Sequence, residues 1–238
     1  MTTTHTEVYA TRLEQALPVV RGRIEKAALD SGRAAESVRL VAVTKAHPVE
    51  AIDAALAAGL RDLGENRIHE LEEKVAARGR HAARWHMIGH IQSRKAGRAA
   101  ELADLIHSID SAKLAERLSR AAIESGSEVA GLAQVNTSGE PSKSGFDAED
   151  AVEQVHRIAE LPGLSVKGLM TMAPFVDDEA VLAGAFQGLR KILEQLHGVT
   201  DVVGPELSMG MTNDLEVAIR EGSTMVRIGT ALFGERPR

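Results

Sequence analysis

The feature that most constrains this chain is a repeating order: a short apolar run followed by a longer helical stretch, eight times over. The apolar runs fall near residues 38–44, 60–64, 84–89, 104–109, 129–136, 164–171, 206–209 and 224–229. Several lack polar/apolar alternation, as expected of strands buried on both faces of a parallel sheet. Helical stretches such as 48–58, 111–125, 148–159, 178–196 and 213–221 lie between them. Eight strands each followed by a helix predict an α/β chain folded as a (β/α)8 TIM barrel. An extra N-terminal helix is expected over residues 7–31, broken or kinked near Pro18 and stopped by Gly32. The rival, an open doubly wound sheet, usually closes its first strand with Gly-x-Gly-x-x-Gly. This chain has Thr44, Lys45, Ala46 and His47 there. No linker or low-complexity tract interrupts the pattern, so residues 1–238 are read as a single domain.

Composition narrows the function classes. With 44% hydrophobic but only 3% aromatic residues, the core must be built mainly from Ala, Val, Leu and Ile. A formal charge of −6 speaks against nucleic acid or an anionic membrane as the main partner. The absence of cysteine removes disulfides, thiolate metal sites and cysteine nucleophiles together. Residues 1–10 show no apolar signal segment, and no run is long enough to span a bilayer. A soluble, cytoplasmic protein is expected, and a monomer, since no exposed apolar stripe demands a partner.

In a barrel, the C-terminal strand ends share one rim, where chemistry is carried out. That places Lys45, Asn66, His90, Asn136, Thr171, Ser208 and Arg227 near one another. Lys45 closes the apolar run Val41, Ala42, Val43. Desolvation disfavours its ammonium form, and the neutral amine is the form that attacks an aldehyde. Its structural alternative is a lysine snorkelling from the rim or paired with Glu65. The segment from Ser208 to Asp214 and the segment Arg227, Ile228, Gly229, Thr230 supply glycines and hydroxyls after strands seven and eight, where barrels commonly bind phosphate. Ordinary loop glycines, with Thr212 or Asn213 as a helix cap, explain them equally. An amine and a phosphate cradle on one rim are what pyridoxal phosphate (PLP) needs. Arg227 facing the pyridine nitrogen would keep it unprotonated and weaken carbanion chemistry; otherwise it bridges to Glu206 or Glu65.

Asn66 stands either beside such a cofactor or as the cap of the next helix. His86 and His90 on one strand would lie on one face about 13 Å apart, too far to share a metal. Arg94, Lys95 and Arg98 read as a solvated helix face. The stretch Pro141 to Phe146 reads as a polar turn whose Lys143 and serines either meet a phosphate or serve the loop.

Taken together, these segments resemble the YggS/PROSC family of pyridoxal phosphate homeostasis proteins. The matching stretches are 41–45, 64–66, 85–89 with 92–95, 142–145, 168–174, and 207–212 through 222–230, in the family's order over nearly the whole chain. The resemblance implies a barrel of the alanine racemase type (PLP fold type III), with Lys45 as the Schiff-base lysine. It also implies phosphate held by Ser208, Gly229 and Thr230, Arg227 near the ring nitrogen and Asn66 beside the ring. It further implies buffering or delivery of PLP, vitamin B6 cofactor for apo-enzymes, without a defined reaction. His90 and Arg94 stand where many relatives have proline and asparagine.

Two enzyme readings compete. An amino-acid racemase of the alanine racemase type needs a second acid/base, commonly a tyrosine. Tyr9 is the only tyrosine and is expected outside the barrel, so His86 or His90 would have to replace it. The chain also ends at Arg238, without the C-terminal β-domain that closes such racemases, which predicts an open site. The third reading is a sugar-phosphate enzyme using Lys45 for aldol chemistry without PLP.

Overall fold

A computed structural model describes residues 5–140 and 144–235 of the protein. In chain order the strands are β1 (Arg39–Val43), β2 (Asp62–Glu65), β3 (Arg84–Met87), β4 (Leu105–Ile109), β5 (Val129–Asn136), β6 (Phe146–Asp147), β7 (Leu164–Met170), β8 (Glu206–Ser208) and β9 (Met225–Ile228). Every pairing is parallel. The order β4-β3-β2-β1-β9-β8-β7-β5 is closed by pairing of β4 with β5, which makes an eight-stranded barrel. The two-residue β6, which the apolar pattern did not announce, pairs only with the end of β5. The expected (β/α)8 TIM barrel is therefore present, and the eight anticipated runs each overlap one barrel strand.

The helices are α1 (His5–Asp30), α2 (Val49–Ala57), α3 (Ile68–Arg78), α4 (Ala96–Leu102), α5 (Ala112–Ser125), α6 (Ala151–Ala159), α7 (Glu179–His197), α8 (Leu215–Arg220) and α9 (Thr230–Phe233). Their inner faces and the outer faces of the strands form the main apolar shell, which includes Trp85, Leu118, Phe186 and Ile228. In α1, Leu13, Leu17, Val20, Ile24, Ala27 and Ala28 recur at helical spacing and pack on α2, α8 and α9, covering the seam where the last strand meets the first. The helix runs through Pro18 without the expected break. Pro18 faces solvent, so water can hydrate the carbonyl it leaves unbonded, while the buried face on either side holds the helix together.

The barrel lumen is a second core. Side chains two apart on a strand share a face, and the register puts Val41 beside Arg227 and Arg39 beside Met225. Val41, Leu105, Leu132, Met170 and Met225 form an apolar cluster separate from the outer shell. Mixed with it are buried polar residues: Asp62, His86, His107, Ser208 and Arg227. Strand β8 can lie against β7 because Gly168 has no side chain. Its φ is +145°, and a Cβ there would fall 2.0 Å from the Glu206 carbonyl oxygen. Gly168→Ala should cost at least about 2 kcal/mol of unfolding free energy, as expected where both backbone conformation and contact forbid a methyl group. An unchanged urea midpoint would show that the two strands can separate without loss.

Candidate functional site

The turn after β1 presents Lys45. His47 N–H donates to the Thr44 carbonyl at 3.0 Å, and Ala46 between them has φ +59°, a left-handed conformation that L-residues enter at a cost of order 1–3 kcal/mol. Ala46 N–H is taken up by Glu70 Oε2 at 2.8 Å, which ties the strained turn to α3. Lys45 is half-buried. Beneath it, Lys74, not Lys45, pairs with Glu65: Lys74 Nζ donates to Glu65 Oε1 and to the Thr44 carbonyl, each at 2.7 Å. The Thr44 hydroxyl donates to the same Glu65 oxygen, and Glu65 Oε2 has no partner. The buried carboxylate expected as an alternative partner of Lys45 thus already has a cation of its own.

A cavity of about 410 Å³ opens at the C-terminal rim. Its walls include Lys45 and His47 after β1, Asn66 after β2, Met172 to Phe175 after β7, Met211 to Asp214 after β8, and Arg227, Gly229 and Thr230 on and after β9. Five of the six anticipated cofactor residues therefore meet there: Lys45, Asn66, Arg227, Gly229 and Thr230. Asn66 is not a helix cap; Arg67 occupies the N-cap of α3. Gly89 allows the close approach of the Asn66 loop, since a Cβ at 89 would lie 2.1 Å from the Asn66 carbonyl oxygen.

Ser208, the sixth, does not line the cavity and is fully buried. It is the last residue of β8 with its side chain in the lumen, where its hydroxyl accepts from Arg227 Nη1 at 2.6 Å. The loop that does reach the cavity lies beyond it, at Met211, Thr212 and Asn213. Neither Thr212 nor Asn213 caps a helix: α8 starts after Asp214, whose Oδ1 accepts from Met211 N–H at 2.5 Å and fixes the loop. Sequence offered two hydroxyls in one motif, and only the strand's end point separates them.

Arg227 is buried at the lumen's upper end. Nη1 also donates to the Ser208 carbonyl at 2.8 Å and Nη2 to the Thr171 carbonyl at 2.9 Å, in place of the expected bridge to Glu206 or Glu65. Burial lowers its pKa to about 10, opposed by the charge of Asp214. A guanidinium has five N–H donors and no acceptor, so these three bonds leave two of them over on a residue that lines the cavity.

The other rim residues are engaged elsewhere. His90 lies past the end of β3, so it does not share a strand face with His86; it is exposed and 2.7 Å from Asp110 Oδ2. Asn136 donates to the Glu140 carbonyl, and Thr171 Oγ1 donates to the Val135 carbonyl. Arg94 and Lys95 are exposed, and Arg98 pairs with Glu72 and Glu101. Pro141, Ser142 and Lys143 of the polar turn lie outside the described residues. The cavity imidazole is His47, which sequence reading did not single out. Its Nδ1 is 2.9 Å from the hydroxyl of Tyr9, so the N-terminal helix does reach the site's edge.

Burial pushes the Glu65 carboxyl up to about 7, against the charge and hydrogen bond of Lys74 and the hydrogen bond of Thr44. The folded state therefore holds an extra proton between the ordinary value of 4.5 and about 7. Stability from this group is complete below pH 4.5 and is lost as pH rises through 7. Urea midpoints should fall across that window in the native chain and less so in Glu65→Gln; equal slopes reject the assignment. Lys74→Met strands the carboxylate, and should cost about 3–5 kcal/mol at pH 8 and less near pH 5, where Glu65 is protonated.

The sequence model of the alanine racemase N-terminal domain family matches residues 26–237. A pyridoxal phosphate homeostasis protein of Vibrio cholerae is 41% identical over 228 residues, 94% of this chain and 96% of that protein. Another, of Pseudomonas aeruginosa, is 43% identical over 217 residues, covering 91% and 93%. Among solved structures, PipY of Synechococcus elongatus PCC7942 with PLP bound is 38% identical with a TM-score of 0.77, covering 83% of this chain and 93% of that one. The chain belongs to the pyridoxal phosphate homeostasis proteins, a family built on the alanine racemase N-terminal barrel.

Proposed function

We propose that this protein binds pyridoxal 5'-phosphate and buffers or delivers it in the cytoplasm, the whole chain acting as one cofactor-binding barrel, monomeric, with apo PLP-dependent enzymes as recipients. The observation that carries the reading is the meeting of a half-buried amine, a buried donor-only guanidinium and two loops with glycines and hydroxyls around one open cavity. The PLP-bound relative of the same fold adds to it. On this reading the Lys45 amine condenses with the cofactor aldehyde to a Schiff base and releases water. Asn66 stands beside the ring. Arg227 gives an N–H to an unprotonated ring nitrogen, which leaves a poor electron sink and suits a carrier better than a catalyst. Gly229 and Thr230, joined by the Met211 to Asn213 loop, hold the phosphate; Ser208 acts from below by holding Arg227.

One observation favours the racemase alternative enough to test it. His47, held by Tyr9, puts an imidazole on the cavity wall, where the sequence suggested His86 or His90. Neither of those lines the cavity.

Purified protein with added PLP should show a visible absorption band that borohydride removes, with label on the peptide carrying Lys45. Lys45→Ala should lose the band and keep the native circular dichroism; a colourless native protein rejects PLP binding, and an unchanged variant rejects the lysine. Bound PLP should reactivate a PLP-free apo-enzyme while amino-acid racemisation stays at background. Robust alanine racemisation that His47→Ala abolishes would replace the carrier with the racemase.

A further inference from the structure

The lumen contains a continuous chain of hydrogen bonds that joins the cavity to the opposite mouth of the barrel. Arg227 Nη1 is 2.6 Å from Ser208 Oγ, which is 2.8 Å from His107 Nδ1. His107 Nε2 is 2.8 Å from His86 Nδ1, and His86 Nε2 is 3.0 Å from Asp62 Oδ1. Five side chains from β9, β8, β4, β3 and β2 take part, and all are buried. Asp62 ends the chain at a second cavity, of about 340 Å³, on the N-terminal side of the barrel.

The protons in this chain have one consistent arrangement. A guanidinium only donates, so Ser208 Oγ accepts from Arg227 and gives its single hydrogen to His107 Nδ1. His107 must then carry its proton on Nε2 and donate to His86 Nδ1. His86 in turn carries its proton on Nε2 and donates to Asp62, which as a carboxylate only accepts. Every donor meets one acceptor, and neither imidazole is charged. Reversing the chain would point a bare His86 nitrogen at a carboxylate and leave the Ser208 hydrogen without an acceptor in a site closed to water. Burial, the largest cause, holds the His107 pKa well below its ordinary value, and the permanent cations Arg227 and Arg39 act in the same direction, which agrees with a neutral ring at that position.

We propose that Ser208, His107, His86 and Asp62 form a one-way luminal relay that positions Arg227 and couples the charge at the far mouth of the barrel to the ligand cavity. These are positioning residues; none lines the ligand cavity except through Arg227. Asp62 faces Arg84 Nη2 at 2.9 Å and Arg39 Nε at 3.8 Å as well as His86, and Arg39 also meets Glu206 at 3.6 Å. Asp104 and Lys167 line the same mouth. At the other end Asp214 is the acidic group acting on Arg227. An ion or pH change at the lower mouth therefore reaches the cavity through oriented bonds whose direction the donor-only and acceptor-only ends impose.

The effect on the cofactor rests on the PLP reading, whereas proton placement does not. Nitrogen-15 NMR of the imidazoles in ligand-free native protein should show His86 and His107 neutral, each protonated on Nε2, at pH 7. A charged ring or an Nδ1–H tautomer at either position overturns the relay. PLP titrations of native protein, Asp62→Asn, Ser208→Ala and the double variant then test coupling. Asp62→Asn should weaken binding roughly 3- to 10-fold. In the Ser208→Ala background, where the bonds are cut but the charges remain, the same change should have little further effect. Additive losses would mean simple through-space electrostatics and overturn the relay, as would an Asp62→Asn affinity equal to native. If native protein binds no PLP, the carrier reading fails and the NMR result alone decides the relay.

Discussion

The site depends on a charge placed where charge is costly. Arg227 sits in the barrel lumen, and burial opposes its ionisation. What makes the position tenable is neutral protein oxygen: the carbonyls of Thr171 and Ser208 and the Ser208 hydroxyl take three of its donors. A partner carboxylate in direct contact would have neutralised the guanidinium. Neutral oxygen partners leave its charge uncancelled by direct contact, on a residue that also lines a cavity whose other walls carry an amine and glycine-bearing loops.

Closure of the barrel makes that arrangement possible. Lys45 follows β1 and Arg227 lies on β9, more than 180 residues later, yet β1 and β9 are hydrogen-bonded neighbours with Val41 opposite Arg227. The long helix α1 covers this same seam from outside. It also brings Tyr9 to His47, so an element with no place in the barrel repeat stabilises the β1–β9 joint and touches the cavity's edge. Among the described residues the one non-glycine with positive φ is Ala46, in the turn that carries Lys45, and Glu70 holds it there. The buried Thr44–Glu65–Lys74 cluster below braces the same turn.

Much of this was legible in the residues. The apolar runs located all eight barrel strands, because strands in a closed parallel sheet are covered on both faces and must be apolar in a block. The motifs at 44–47, 64–66 and 227–230 marked the cavity because strand C-termini share a rim. The errors have physical sources as well. Sequence puts Ser208 in the phosphate cradle because hydroxyl and glycine content cannot tell a residue that ends a strand from one in the loop after it. Sequence puts His90 on one strand face with His86 because the apolar run 84–89 does not reveal that the strand stops at Met87. A break or kink is expected at Pro18 because sequence does not show which helix face meets water.

The sequence by itself determined the fold class, the strand positions and the chemical types at the rim, since periodicity and residue chemistry are local properties. Only the tertiary structure decided which of those groups face one cavity, that Lys74 rather than Lys45 answers Glu65, and that two histidines from adjacent strands link Asp62 to Arg227. The luminal links join residues up to 101 positions apart, as His107 and Ser208 are. They follow from strand register and barrel closure, which no short window of residues encodes.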